Sequence, residues 1–165
     1  MKESIRRFEI ERFSVTSSRP FEAVAAALRD AVGRLDLVEF AKASKQAGTS
    51  AELKEGIDRS LGKTGLMLFV ELDHGAVLRK ETELTTPKIV RLVIGNPLVM
   101  KEMAKHVPEA GSYAPVTVLV DERGDCVHLS YDRMASLLAP YDNMDAIAVA
   151  RDLDSKIENL IQSVI

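Results

Sequence analysis

The chain has no tryptophan and few aromatics of any kind, five Phe and three Tyr among 165 residues. That scarcity argues against a surface that stacks nucleobases. Cysteine is almost missing as well. Cys126 stands alone, so no internal disulfide can form, and a reducing cytoplasm is the simplest setting. Positive charge is not in excess either: the formal net charge of -3 offers no broad surface to a polyanion, so no nucleic-acid partner is expected. Long apolar runs are absent. None approaches the roughly 20 residues of a spanning helix, so no membrane partner is expected. The first residues, MKESIRRFEIERF, are charged and amphipathic, unlike a secretory signal. No G-x-S-x-G, P-loop or G-x-G-x-x-G pattern occurs, which removes the nucleophile elbow and the commonest nucleotide loops.

What is present is the make-up of a folded domain. Hydrophobic residues are 46% and charged residues 28%, and the length fits one domain, residues 1–165, with a real core. Residues 7–16, RFEIERFSVT, read as a strand whose apolar parity switches between Ile10 and Phe13, by a bulge or by burial on both faces. A helix follows, capped at Ser18 or Arg19, with Pro20 in its first turn. Phe21, Val24, Ala25, Leu28, Val32 and Leu35 form its apolar stripe. Residues 36–64 read as a small helical insertion, in which Thr49 and Glu52 have capping-box spacing.

GLMLFVELD and KIVRLVIG are two further strands, and HGAVLRKETELTTP between them reads as a polar loop. NPLVMKEMAKHV is a short helix closed by Pro108. PVTVLVDERGDCVHLSYD is a hairpin turning at residues 122–125, with Gly124 at positive φ. A long C-terminal helix is capped by Asp142 or Asn143 and buries Met144, Ile147, Leu153, Ile157, Leu160, Ile161 and Val164. Few strands alternate with crossover helices. The expected class is therefore two-layer α+β, a mostly antiparallel sheet with helices on one face, in the order β-α-(helical insertion)-β-β-α-β-β-α.

Three clusters carry possible chemistry. In VELDHGA, a strand alternating from Leu66 puts Glu71 and Asp73 side by side, next to His74. Two neighbouring carboxyls raise one pKa, and His74 would complete an acid/base pair. The alternative is structural: Asp73 caps the following turn and Glu71 pairs with Arg91. In IGNPLVM, Asn96 and Pro97 suit a helix start, whose free N–H groups either simply begin the helix or hold an anion. Cys126 and His128 share a strand face, but no second ligand pair accompanies them, so no metal is expected. Tyr131 lies on the apolar parity of its strand, its hydroxyl in need of a partner.

Taken in order, VELDHGA, PKIVRLVIGNPLVMKEM and VTVLVDERGDCVHLSYD resemble the domain of unknown function 302. The resemblance covers roughly residues 7 to 35 and 66 to 141. It implies a fold similar to the TATA-box-binding-protein architecture: a strand, a helix, four strands and a helix. It places the family pattern on Glu71, Asp73, His74, Gly95, Asn96, Pro97, Ser130 and Tyr131. This chain has Ile94 where the family has Phe, and Ala114 where it has Leu. The resemblance supplies no reaction and no cofactor.

The leading functional expectation is a binding domain. Its ligand is small, an anion among the options, held by Glu71, His74, Asn96 and Tyr131, and the chain forms a homodimer. One alternative is a small enzyme with Asp73 and His74 as acid and base and Asn96 holding an oxyanion. Another is a structural or protein-interaction module that uses the insertion as its contact surface. The binding reading requires the acidic end of one middle strand to meet the proline turn of the next.

Overall fold

A computed structural model describes every residue except 1, 2, 83, 84, 86 and 125. Six strands form one sheet in the order β1-β6-β5-β4-β3-β2. They are β1 (Arg12–Ser17), β2 (Gly33–Arg34), β3 (Met67–Asp73), β4 (Ile89–Gly95), β5 (Val116–Arg123) and β6 (Cys126–Asp132). All neighbours pair antiparallel except β2, which runs parallel to β3. The helices are α1 (Phe21–Ala31), α2 (Leu37–Gln46), α3 (Ser50–Asp58), α4 (His74–Thr82), α5 (Pro97–Ala104), α6 (Met134–Leu138) and α7 (Met144–Gln162). The expected α+β class and the strand–helix–four strands–helix core are present, joined by β2, α4 and α6.

Alternation builds the layers. Val116, Val118 and Val120 on β5 face one side with Val127, Leu129 and Tyr131 on β6, and all are buried. Val90, Leu92 and Ile94 extend that face across β4. α1 and α7 cover it. Phe21, Val24, Ala25 and Leu28 form the buried stripe of α1, and Ile147, Ala150, Leu153, Ile157, Leu160 and Ile161 that of α7. Each fully buried branched side chain contributes about 1.5–3 kcal/mol, so this single shared face dominates the fold's stability.

The helix ends follow their sequence signals. Asn143 accepts from Ala146 N at 2.9 Å and starts α7, which leaves Met144 outside the buried stripe and 67% exposed, against expectation. Thr49 accepts from Glu52 N at 3.2 Å, and Glu52 returns to Gly48 N at 2.9 Å. α1 differs. Its cap position is Pro20, which offers no side-chain acceptor, and neither Ser18 nor Arg19 takes that role.

Four stretches depart from the sequence expectation, the first being α1, which ends at Ala31 and leaves Val32 and Leu35 beyond it. β1 begins only at Arg12, because its partner β6 ends at Asp132 and the ladder closes there. Phe8 and Ile10 are consequently left 36% and 49% exposed. Residues 74–82 are a helix, not a loop. β3 is bulged between Leu68 and Val70, so Leu68 faces Ile94 and Glu71 faces Leu92, both on the buried side. Leu68 therefore shares the face of Glu71, not that of Val70. The hairpin turn has Gly124 at φ 60, as its glycine predicts; Asp125 lies outside the described residues.

Candidate functional site

The middle strands are neighbours, but their register separates the two motifs. Asp73 pairs with Val90 at one end of β4, while Met67 pairs with Gly95 at the other. Six residues of strand, about 20 Å, lie between the acidic tip and the Asn96 turn. The expected convergence of Glu71, His74, Asn96 and Tyr131 does not occur, because an antiparallel pair puts the end of one strand beside the start of the next.

At the acidic tip, each carboxylate already has a partner. Glu71 faces the helical layer and accepts from Arg29 Nη2 at 2.6 Å and Nε at 2.9 Å. Arg29, on α1, is therefore the partner, not Arg91. Asp73 accepts from Ala76 N at 2.9 Å and from Arg79 Nη2 at 2.6 Å, so it caps α4 as a turn-capping reading requires. The Arg79 hydrogen bond holds the Asp73 carboxyl below the usual carboxylate range. A shallow concavity of about 270 Å³ here is lined by Phe21, Glu22, Glu71, Asp73 and Lys88 among others, and Lys88 pairs with Glu22 at 3.3 Å. His74 begins α4, exposed, outside that lining.

Tyr131 is buried in the helical layer, 1% exposed. Its hydroxyl donates to Asp154 Oδ1 at 2.6 Å and accepts from Met134 N at 3.2 Å. Asp154 also accepts from Met134 N at 2.7 Å and Ala135 N at 3.1 Å, so it caps α6 from within α7. Burial pushes the Tyr131 phenol far above its ordinary range, and the Asp154 charge adds to the shift. Tyr131 is a ring in the core with its one polar atom satisfied. Asp154 was missed by sequence reading, although its place at the fourth position after Ala150, on a buried stripe, marks it.

Asn96 sits differently. Its Oδ1 accepts from Leu98 N at 2.8 Å and its Nδ2 donates to Gly65 O at 3.1 Å. Those bonds start α5 and tie the turn to the chain entering β3. Gly95 allows the approach: a Cβ there would lie 3.0 Å from Pro115 Cβ. Behind this turn is an apolar cavity of about 170 Å³, lined by Phe40, Phe69, Met100, Met103, Pro115 and Leu153 together with Asn96. Sequence reading singled out the turn but not the cavity, since Phe40 comes from α2 and Leu153 from α7. Its apolar residues come from separate elements, and no pattern within one element joins them.

Cys126 faces Arg123 and His128 faces Asp121 across the hairpin. Among the described residues, no three His, Cys, Asp or Glu side chains are grouped to hold a metal ion. No helix among them is long and apolar enough to cross a membrane.

Comparison with known proteins gives a family and a fold. The profile of the family described as Domain of unknown function DUF302 matches residues 40–164, so it takes in the insertion and α7 and leaves out α1. The chain is similar to the crystal structure of an uncharacterized conserved protein DUF302 from Bacillus stearothermophilus. The TM-score is 0.64 at 12% identity, covering 93% of this chain and 98% of that one, a likeness of fold alone. No curated protein matches the chain.

Proposed function

The chain belongs to the family Domain of unknown function DUF302, whose description names no activity, and from the geometry we propose that it is a small-molecule-binding domain with its site in the cavity behind Asn96. The carrying observation is an apolar cavity of about 170 Å³ between two Met, two Phe and a Leu, set against the packed core. Protein interiors are close-packed, and an apolar void near 150 Å³ is large enough to hold a benzene-sized guest.

The ligand class follows from the lining. Asn96 spends its amide oxygen on Leu98 N and one of its two amide N–H groups on Gly65 O, and it carries no charge of its own to pair with an anion. A small apolar molecule, a ring or a short branched chain, fits; an anion does not fit at this point. Phe40 lines the cavity from α2, which has no buried residue of its own. Opening such a helix loses little packing, which supplies a way in. Of the predicted site residues only Asn96 lines the cavity, and Glu71, His74 and Tyr131 fall outside it.

A homodimer in the cytoplasm belongs to the same proposal. Among the described residues the outer edge of β1 has no partner strand, which supports pairing of two copies, and the single thiol supports a reducing compartment. The acid/base alternative gains nothing from the geometry, since Glu71 and Asp73 are each clamped by an arginine. The interaction reading does have one observation behind it: Leu37 and Val38 on α2 are 46% and 63% exposed.

Toluene is the probe for the cavity. Titration should shift the methyl signals of Met100 and Met103 and saturate at a Kd of about a millimolar or below. Ala114→Leu, at the cavity wall, should remove that saturation with the rest of the spectrum unchanged. Methyl signals that stay put up to the solubility limit of toluene overturn the proposal. Light scattering at several concentrations tests the dimer.

A further inference from the structure

The sheet face away from the helices holds a second concavity, of about 340 Å³, lined by Arg12, Arg91, Ser112, Tyr113, Thr117 and Ser130 among others. It lies across β4, β5, β6 and β1. Register places Arg91 opposite Leu119, Leu119 opposite Ser130 and Ser130 opposite Ser14, one row of the open face. Thr117 stands one diagonal from Arg91, opposite Val93.

The charges in this hollow are unequal. Arg12 is neutralised by Asp132, with Nε at 2.6 Å and Nη2 at 2.9 Å from its two oxygens. Arg91 has no such partner. Its Nε donates to the Thr117 hydroxyl at 3.1 Å, and among the described residues no carboxylate meets it. That bond draws the guanidinium along the sheet towards β5 and leaves the two Nη groups as an open fork. Half-buried Val93 and Leu119 flank the stem, so water is partly excluded on the sheet side. Besides Thr117, other hydroxyls line the same hollow: Ser130 from β6, one strand beyond Leu119, and Ser112 and Tyr113 from the turn before β5. Tyr113 and Tyr141 meet hydroxyl to hydroxyl at 3.2 Å, which fixes the Tyr113 ring at the rim.

We propose that this concavity binds a small oxyanion, a carboxylate or a phosphate, on the open fork of Arg91 with the Thr117 and Ser130 hydroxyls as further donors. A planar fork and neighbouring hydroxyls are the donor set that two or three oxygens of one anion require. The net charge of the hollow is one positive, from Arg91 alone, which suits a singly charged group or one face of a phosphate. An arginine that only shielded the sheet would need no such surroundings. This site is separate from the cavity behind Asn96 and stands whether or not that cavity is occupied, although Pro115 and Val116 wall both.

The test is an amide NMR titration with inorganic phosphate and, separately, with acetate, at constant ionic strength. Saturable shifts at Arg91, Thr117, Leu119 and Ser130 are expected, with a Kd of about a millimolar. Arg91→Gln should weaken binding by about tenfold or more, and Arg91→Lys should fall between, since lysine keeps the charge but lacks the fork. Arg151→Gln, on the exposed side of α7, serves as the control and should change nothing. Stronger binding of phosphate names a phosphate ligand, and stronger binding of acetate a carboxylate. Shifts that fail to saturate, or that Arg91→Gln leaves as they were, overturn the proposal.

Discussion

The Tyr131 hydroxyl donates to Asp154 Oδ1 at 2.6 Å, and the two residues are each only 1% exposed. This bond, with the two backbone N–H groups that Asp154 also receives, ties β6, α6 and α7 together. Asp154→Ala leaves the Tyr131 hydroxyl and Ala135 N without a partner and Met134 N with only its longer bond to the Tyr131 oxygen, each unpaired donor costing about 1–3 kcal/mol if water cannot reach it. A loss of about 3 kcal/mol or more in urea unfolding is expected. Tyr131→Phe removes one donor only, so a loss of about 1 kcal/mol should follow. Equal losses for the two variants would show that Asp154 is not the hub.

The same pair predicts a dependence on alkaline pH. Burial raises the Tyr131 pKa in the folded state above that of an exposed tyrosine. The folded protein therefore keeps a proton that the unfolded chain releases above pH ~10. The stabilisation is present in full below pH ~10 and declines as pH rises beyond it, by up to ~1.4 kcal/mol per pH unit for this proton. Tyr113, whose pKa is raised first by its bond to Tyr141 and then by burial, adds a contribution of the same sign. Tyr131→Phe should flatten the decline between pH 10 and 11 without abolishing it. An unchanged slope in that variant would remove Tyr131 from the account.

Asp73 is expected to act as a cap and not as a catalytic group. Asp73→Ala removes the acceptor for Ala76 N and the partner of Arg79, and loss of an N-cap costs about 1 kcal/mol. The carboxyl is close to half exposed, so the ion pair adds little to that figure. Hydrogen exchange should rise across α4 and stay unchanged in α5. Because the folded-state pKa of Asp73 is lowered, its contribution is present above pH ~4 and fades as pH falls further. Toluene binding at the Met100 and Met103 methyls should be untouched; a drop there would reconnect the two strand ends.

How much of this was legible beforehand depends on the scale of the signal. The layers were: alternation in VTVLV and CVHLSY and the stripe of α7 each report a buried face directly. Caps at Asn96, Asn143 and Thr49 were equally plain, because short polar side chains before an apolar run have few other uses there. α4 was not legible. Its Val77 and Leu78 are 73% and 38% exposed, so it shows no apolar stripe, and it rests on Asp73, on Arg79 reaching Pro87 O at 3.1 Å, and on Gly75. β2 has two residues, too few for any period. The candidate site failed at register. Glu71, Asn96 and Tyr131 were each placed on the correct element, but distances between elements come from strand pairing, which no local pattern states. A β-bulge at Phe69 then reversed the expected face of Leu68.

The attachment of the insertion provides the sharpest mutational expectation. Gly33 on β2 and Gly62 after α3 meet backbone to backbone. A Cβ on Gly33 would lie 1.9 Å from Ser60 O and 2.5 Å from Gly62 N. One on Gly62 would lie 2.3 Å from Gly33 N. Neither neighbour is a flexible side chain, so the join itself must open, and with it the bonds from Gly33 N and Gly62 N to Leu66 O, each at 2.9 Å. Overpacking of rigid surroundings costs about 1–3 kcal/mol, and two backbone bonds are lost besides. Gly33→Ala should therefore destabilise by about 3 kcal/mol or more and loosen residues 33–34 and 60–66. Gly56→Ala, where nothing lies within 4 Å of the new carbon, should instead stabilise α3 by up to about 1 kcal/mol. Because Phe40 lies between these joins and reaches the cavity behind Asn96, the first change should weaken toluene binding and the second leave it alone. Equal stability for the two variants would mean that the insertion is not held at this join.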